Sequence, residues 1–194
     1  MPRTMDREAR KAQLAEAVWR VILERGVAAV SVRTVAERAG LAVGSLRHVF
    51  PSRAELVRFS AELMMQRATE RVLATPSADD PREYALALLG ALLPLDPDSR
   101  AELEINLALF AERVAVPELV EVRDEAHRRI AELCARLVGM LADGTDAPAV
   151  ERRARRLHAL VDGLAFHLLH RPAESDHAWA LELLREEIAS IASG

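Results

Sequence analysis

The chain has few aromatic residues: two tryptophans, one tyrosine and four phenylalanines, 4% of 194 residues. Alanine, leucine, glutamate and arginine dominate instead, a mixture that favours helix over strand. No segment alternates apolar and polar residues for long enough to make a half-buried strand, so an all-α fold is expected. The single cysteine, Cys134, excludes an intramolecular disulfide and suits a reducing compartment. Long hydrophobic runs are also missing. The longest, YALALLGALL from Tyr84 to Leu93, is stopped by Pro94 at about half a membrane span. The N-terminal MPRTMDREARK is charged and lacks the apolar run of a secretion signal. A soluble, cytoplasmic protein without a membrane segment is expected.

Hydrophobic residues make up 51% of the chain, ample for a core. The charge is unevenly spread. Residues 1–60 hold 11 Lys/Arg against 6 Asp/Glu, a net of +5, while residues 61–194 hold 15 against 24, a net of −9. The overall −4 thus conceals a basic head on an acidic body, which points to nucleic-acid contact through the N-terminal third.

Periodicity and punctuation predict about nine helices. The first covers Asp6 to Arg25, with Leu14, Ala17, Val18, Val21 and Ile22 on one face and Gly26 as its stop. Ser31 caps a short second helix ending near Ala39, Gly40 makes a turn, and a third short helix covers Val43 to Val49. Pro51 breaks the chain, and Ser52 with Glu55 forms a capping box for a long fourth helix. After the loop TPSADDP, five more helices follow: Arg82–Leu93, Ser99–Val114, Glu118–Leu141, Ala147–His170 and Asp176–Ser193. The expected division is a small N-terminal domain over residues 1–52 and a larger helical domain over 53–194.

Two short helices joined by a glycine turn make a helix-turn-helix, whose second helix enters the major groove. Ala36 is small enough for the two helices to cross closely, and Val35, Leu46 and Val49 face a miniature core shared with the first helix. Gly44 lets the open side of the third helix approach DNA, where Ser45, Arg47 and His48 offer polar contacts. A purely structural helix pair is the alternative.

SVRTVAERAGLAVGSLRHVFPSRAELV resembles the N-terminal region of TetR/AcrR-type regulators, through Ser31, Val35-Ala36, Ala39-Gly40-Leu41, Gly44-Ser45-Leu46, Phe50, Ser52 and Arg53. The similarity covers roughly residues 10–57. It implies that Val43, Gly44, Ser45 and His48 face bases, and that Ser31, Arg33, Arg47 and Arg53 face phosphate. Arg3 or Arg7 would reach an adjacent groove, and Arg47 could instead take a guanine in bidentate fashion. Three residues depart from the family pattern. Ala42 stands where a serine cap is usual, at a capping cost of ~1 kcal/mol, and Arg47 and Val49 stand where aromatic residues are usual.

The resemblance also implies a homodimer on a palindromic DNA operator, because one such unit contacts too few bases. Val150, Ala154, Leu157, Val161, Leu164 and Leu168 line one face of the eighth helix; Trp179, Leu183, Leu184, Ile188 and Ile191 line the ninth. These stripes either form a four-helix bundle between subunits or complete a monomer core. LLPLDPDSRAELEINLALFAERVAVPELVEVRDEAHRRI and LVDGLAFHLL resemble the ligand domain of BetI-type members, which respond to choline. A quaternary ammonium needs an aromatic cage, yet residues 61–194 hold only Tyr84, Phe110, Phe166 and Trp179. An apolar or weakly polar small-molecule effector fits better, with Tyr84, Asn106, Phe110, Asp162 and Phe166 as candidate contacts. Asn106 sits among Leu103, Leu107 and Phe110, and Asp162 could meet a cationic ligand, pair with His158, or be solvated.

No phosphate loop, nucleophile elbow or zinc-type cluster is present in the sequence, so no catalytic residue, cofactor or metal is expected. His167 and His170 lack a second close pair. The expected function is a dimeric transcriptional regulator, a repressor released by its effector. An effector-independent regulator and a metal or redox sensor acting through Cys134 are the alternatives, and an enzyme is disfavoured.

Overall fold

Caps and breakers decide where each helix of this chain begins and ends. The computed structural model describes residues 2–111, 116–142, 146–172 and 174–193, with residues 2–10 described as backbone alone. The side chains of Arg3 and Arg7, the expected end of the sixth helix at Val114 and part of the ADGTDAP break lie outside the described residues. Among those described there are nine α-helices, one 3-10 turn and no strand. The helices are α1 (Pro2–Arg25), α2 (Val32–Ala39), α3 (Val43–Val49), α4 (Arg53–Leu73), α5 (Pro81–Gly90), α6 (Pro97–Ala111), α7 (Glu118–Leu141), α8 (Ala147–Leu169) and α9 (Ala178–Ala192).

Local chemistry explains the small differences from expectation. Asp80 caps α5 by accepting from the Arg82 N–H at 2.8 Å, which places Pro81 at the first helical position, where its missing N–H is harmless. Asp96 accepts from the Asp98 and Ser99 N–H groups at 3.0 and 2.9 Å, so α6 starts at Pro97. These bonds, the Ser99 backbone donor foremost, hold the Asp96 carboxyl below its ordinary pKa. The sequence does not foretell the 3-10 turn at Val27–Ala29, which follows Gly26 at φ 78°.

The chain divides into two compact units. The first comprises Met1–Arg67 with Glu102–Asp124, the second Ala68–Ala101 with Glu125–Gly194. In the first, Leu14, Val18, Val35, Leu46, Leu56 and Val57 form the heart of the core, joined by Ile105, Leu109 and Leu119. Each buried leucine of this kind contributes roughly 1.5–3 kcal/mol. The Trp19 indole N–H donates to the Ser60 carbonyl at 3.2 Å, and Arg67 lies over the Trp19 ring while pairing with Glu16. These contacts fix α1 against α4.

In the second unit, α5 and α7–α9 enclose Leu89, Leu93, Leu137, Leu157, Leu168 and Leu184. Arg100 donates to the carbonyls of Leu168, Leu169 and Arg171, satisfying the open C-terminal end of α8. Arg156 pairs with the buried Glu187 at 2.8 Å, tying α8 to α9.

This core corrects the expected dimer surface. Leu157, Val161, Leu164, Leu168 and Ile188 are at most 3% exposed in the single chain, packed against their own unit. They have no surface to offer a partner. An apolar stripe reads alike in sequence whether a neighbouring helix or a second subunit covers it. Of the expected interface, Leu183 is 41% exposed and Trp179 is half-buried.

Candidate nucleic-acid interface

Three local devices shape the α2–α3 pair. Ser31 and Thr34 cap each other: the Ser31 Oγ accepts from the Thr34 N–H at 3.0 Å, and the Thr34 Oγ1 accepts from the Ser31 N–H at 2.9 Å. The Thr34 hydroxyl also donates to the Ala29 carbonyl at 2.7 Å, fixing the approach to α2. Gly40 then adopts the left-handed conformation, φ 67° and ψ 31°, with its N–H on Glu37 and the Leu41 N–H on Ala36. That is a Schellman stop, whose conformation strains any residue with a Cβ. Lastly, Arg53 donates to the carbonyls of Val30 and Val27 at 2.9 and 3.0 Å, fastening the front of α2 to the first turn of α4.

α3 runs from Val43 to Val49, as its sequence suggests. Leu46 and Phe50 are buried, and Val49 and Val43 are half-buried against the same core. Ala42 supplies no side-chain cap. The remaining residues, Gly44, Ser45, Arg47 and His48, are all exposed. At 100° per residue they share one side of the helix. Nothing lies within 4 Å of the place a Gly44 Cβ would occupy, so the chain's own packing does not demand glycine there. Among the described residues the side chains of Arg47 and His48 make no hydrogen bond or ion pair.

The other expected phosphate residues are placed differently from one another. Arg33 is exposed and pairs with Glu37 at 3.1 Å, one turn along α2, a contact worth about 0.3–0.5 kcal/mol that a phosphate can displace. Ser31 is committed to its cap and Arg53 to its two carbonyls. Capping by Thr34 and clamping by Arg53 were missed in the sequence. Threonine is an uncommon third residue of a capping box, and the arginine's target lies 23 residues away.

The expected effector contacts are divided between the two units. Asn106 and Phe110 belong to the first unit; Tyr84, Asp162 and Phe166 belong to the second. Asn106 is exposed, because α6 turns Ile105 and Leu109 inward rather than the face of Leu107 and Phe110 on which Asn106 sits. Phe110 is covered on one face by the Arg123 guanidinium, 5.4 Å from the ring centroid. Tyr84 is half-buried against the second core, and Phe166 is exposed with the His170 ring 4.5 Å away. The Asp162 Oδ2 lies 3.5 Å from the His158 Nε2. A cleft of about 30 Å³, with room for a water or two, is lined by Pro94, Leu95, Asp96, Pro97, Arg100 and His177 and by none of these five. Among the described residues no three His, Cys, Asp or Glu side chains converge to hold a metal ion. No helix among them is long and apolar enough to cross a membrane.

Comparison with known proteins places this geometry. A model of bacterial regulatory proteins of the tetR family matches residues 13–58, the span that holds α2 and α3. A model of the C-terminal region of BetI-type transcriptional repressors matches residues 81–193. The HTH-type transcriptional regulator PksA of Bacillus subtilis (strain 168) is 33% identical over 98% of this chain and 94% of its own length. The regulator BetI of Paraburkholderia xenovorans (strain LB400) is 30% identical over 84% of each chain. The crystal structure of a transcriptional regulator from Rhodococcus sp. Rha1 superposes with a TM-score of 0.82 at 29% identity, covering 95% of this chain and 96% of that one. These relatives are regulators of transcription, not enzymes. With two family models and a relative matched end to end, the chain belongs to the TetR family of helix-turn-helix, DNA-binding transcriptional regulators and carries a BetI-type C-terminal region.

Proposed function

We propose that this regulator is a cytoplasmic homodimer that represses transcription from a palindromic operator and is released by a small-molecule effector. The observation that carries the reading is the open side of α3, where Gly44, Ser45, Arg47 and His48 are exposed and Gly44 has empty space above it. Glycine inside a helix costs about 1 kcal/mol relative to alanine. No described residue packs against Gly44 to repay that cost, whereas close approach to a duplex would.

In this reading Val43, Gly44, Ser45 and His48 meet base edges, while Ser31, Arg33, Arg47 and Arg53 set the register on phosphates. Arg53 does so with its guanidinium anchored on the Val27 and Val30 carbonyls, which orients it. Residues 1–52 carry the reading of DNA, and residues 53–194 carry effector binding and dimerisation.

The proposed dimer face is the outward side of α8 and α9. Ala159 on α8 and Leu183 on α9 are exposed, and Gly163 has nothing within 4 Å of its Cβ position. Small residues four apart let a second α8 approach closely, so that two helices from each subunit form a four-helix bundle. Tyr84, Asp162 and Phe166 are the proposed effector contacts. Their thin aromatic supply favours an apolar or weakly polar ligand over a quaternary ammonium. Effector binding would release DNA by favouring a state in which the two α3 helices no longer match the half-site spacing.

Selection of bound duplexes from random DNA tests this reading. A two-fold symmetric consensus with half-sites about one helical turn or more apart is expected; an asymmetric consensus, or none, would remove the paired-operator reading.

A further inference from the structure

Among the described residues four polar ones are buried: Ser60, Ser99, His158 and Glu187. Three have partners. Ser60 donates to the Val57 carbonyl, Ser99 donates to Asp96, and Glu187 accepts from Arg156. His158 is the exception. It is 7% exposed, and its Nε2 is buried with no hydrogen-bond partner. A buried polar atom left open in this way is uncommon in folded proteins.

What surrounds the ring can be ionised. His127 of α7 lies against it, ring centroids 4.6 Å apart and planes tilted by 35°. Asp162, one turn along α8, holds its Oδ2 3.5 Å from the Nε2, too far for a strong hydrogen bond. The neighbouring cations are already neutralised. On α7, Arg128 and Arg129 pair with Glu125, and Arg128 also faces Glu132. On α8, Arg155 pairs with Glu151, and Arg156 pairs with Glu187 of α9. The balance at His158 is therefore set by one carboxylate and one second imidazole.

We propose that His127, His158 and Asp162 form a proton-operated latch between α7 and α8, closed while the buried His158 imidazole is neutral and opened when it takes up a proton. A charge on His158 is cut off from water and set against the His127 ring, with only the Asp162 carboxylate to favour it.

The sign follows from burial. Desolvation lowers the His158 pKa below its ordinary 6.5, and His127 lowers it further, while Asp162 opposes both. The folded protein then binds fewer protons than the unfolded chain. The stability this contact contributes is intact above about pH 6.5 and is lost as pH falls toward the lower folded value. Cys134 is a built-in reporter. It lies two turns along α7 from His127, is fully buried, and its thiol is affected by the Asp162 charge.

The test uses the full chain and two variants, His127→Gln and Asp162→Asn. Both replaced side chains are exposed, so the core is left intact. Imidazole NMR titration should place the His158 midpoint below that of a free histidine, higher in His127→Gln and lower still in Asp162→Asn. Labelling of Cys134 by a dipyridyl disulfide, a reagent active in acid, is scaled to denatured protein at each pH. It should accelerate several-fold between about pH 7.5 and about pH 5.5 in the wild type and much less in His127→Gln. An ordinary His158 midpoint in all three proteins, or equal acceleration in wild type and His127→Gln, would overturn the latch.

Discussion

The Arg53 guanidinium, in the first turn of α4, donates through Nε to the Val30 carbonyl at 2.9 Å, immediately before the residue that caps α2. Its Nη2 holds Val27 in the same way. The α2–α3 pair is thus secured by a cation that is also a proposed phosphate contact. Arg53→Ala is expected to lower unfolding stability by about 1.5–3 kcal/mol, the range for hydrogen bonds involving a charged group. Arg53→Lys should recover little of it, since lysine cannot span both carbonyls. Thermal melts of both variants check this; an unchanged melting temperature would mean that the clamp contributes nothing.

Gly44→Leu separates fold from function. With open space at its Cβ position, the variant should fold with unchanged or slightly raised stability. Its operator affinity should fall by a factor of ten or more, roughly the effect of losing 1.4 kcal/mol of contact. Retained affinity would mean that the surface at Gly44 never meets DNA.

Arg47→Ala should weaken DNA binding and, if Arg47 contacts phosphate, reduce the salt slope by about one ion. If it contacts guanine instead, discrimination at one base pair should relax by about 1–3 kcal/mol with the salt slope largely kept. Fluorescence titrations at several salt concentrations distinguish the two. No change in affinity or slope removes Arg47 from the interface.

How far the sequence could be read depended on the range of each interaction. The limits of α3, the cap at Ser31 and the left-handed Gly40 were legible because each is decided within a few residues. The side of α8 that faces outward was not. Leu157 and Leu168 have the chemistry of either a core or an interface, and only the packing of α9 settles which. Asn106 was misplaced for a related reason: α6 has apolar residues on two sides, and Ile105 and Leu109 win the core. The contact of His158 with His127 joins residues on separate helices, with no local signal to announce it.

Dimerisation should respond to Gly163 and not to the buried stripe. Gly163→Glu adds a charge where the single chain has empty space, so the monomer should fold while the dimer weakens. Leu164→Ala, by contrast, should cost about 2–5 kcal/mol of stability through a core cavity. Sedimentation velocity beside thermal melts checks both. A Gly163→Glu protein that remains fully dimeric would move the interface elsewhere.

Cys134 is expected to be inert at neutral pH. Burial pushes its thiol up to about 12, and the charge of Asp162 adds to the effect. Alkylation of the native protein near neutral pH should run at least about 100-fold slower than in denaturant, because so little thiolate is present. Fast native alkylation would restore the redox-sensor alternative.

The most direct measurement is the ratio of affinities for the selected duplex and for a scrambled duplex of equal length, in the same buffer and salt. Sequence reading by α3 should make the selected duplex tighter by roughly 10³-fold or more. A ratio near one would contradict it, leaving a basic surface that holds DNA without reading it.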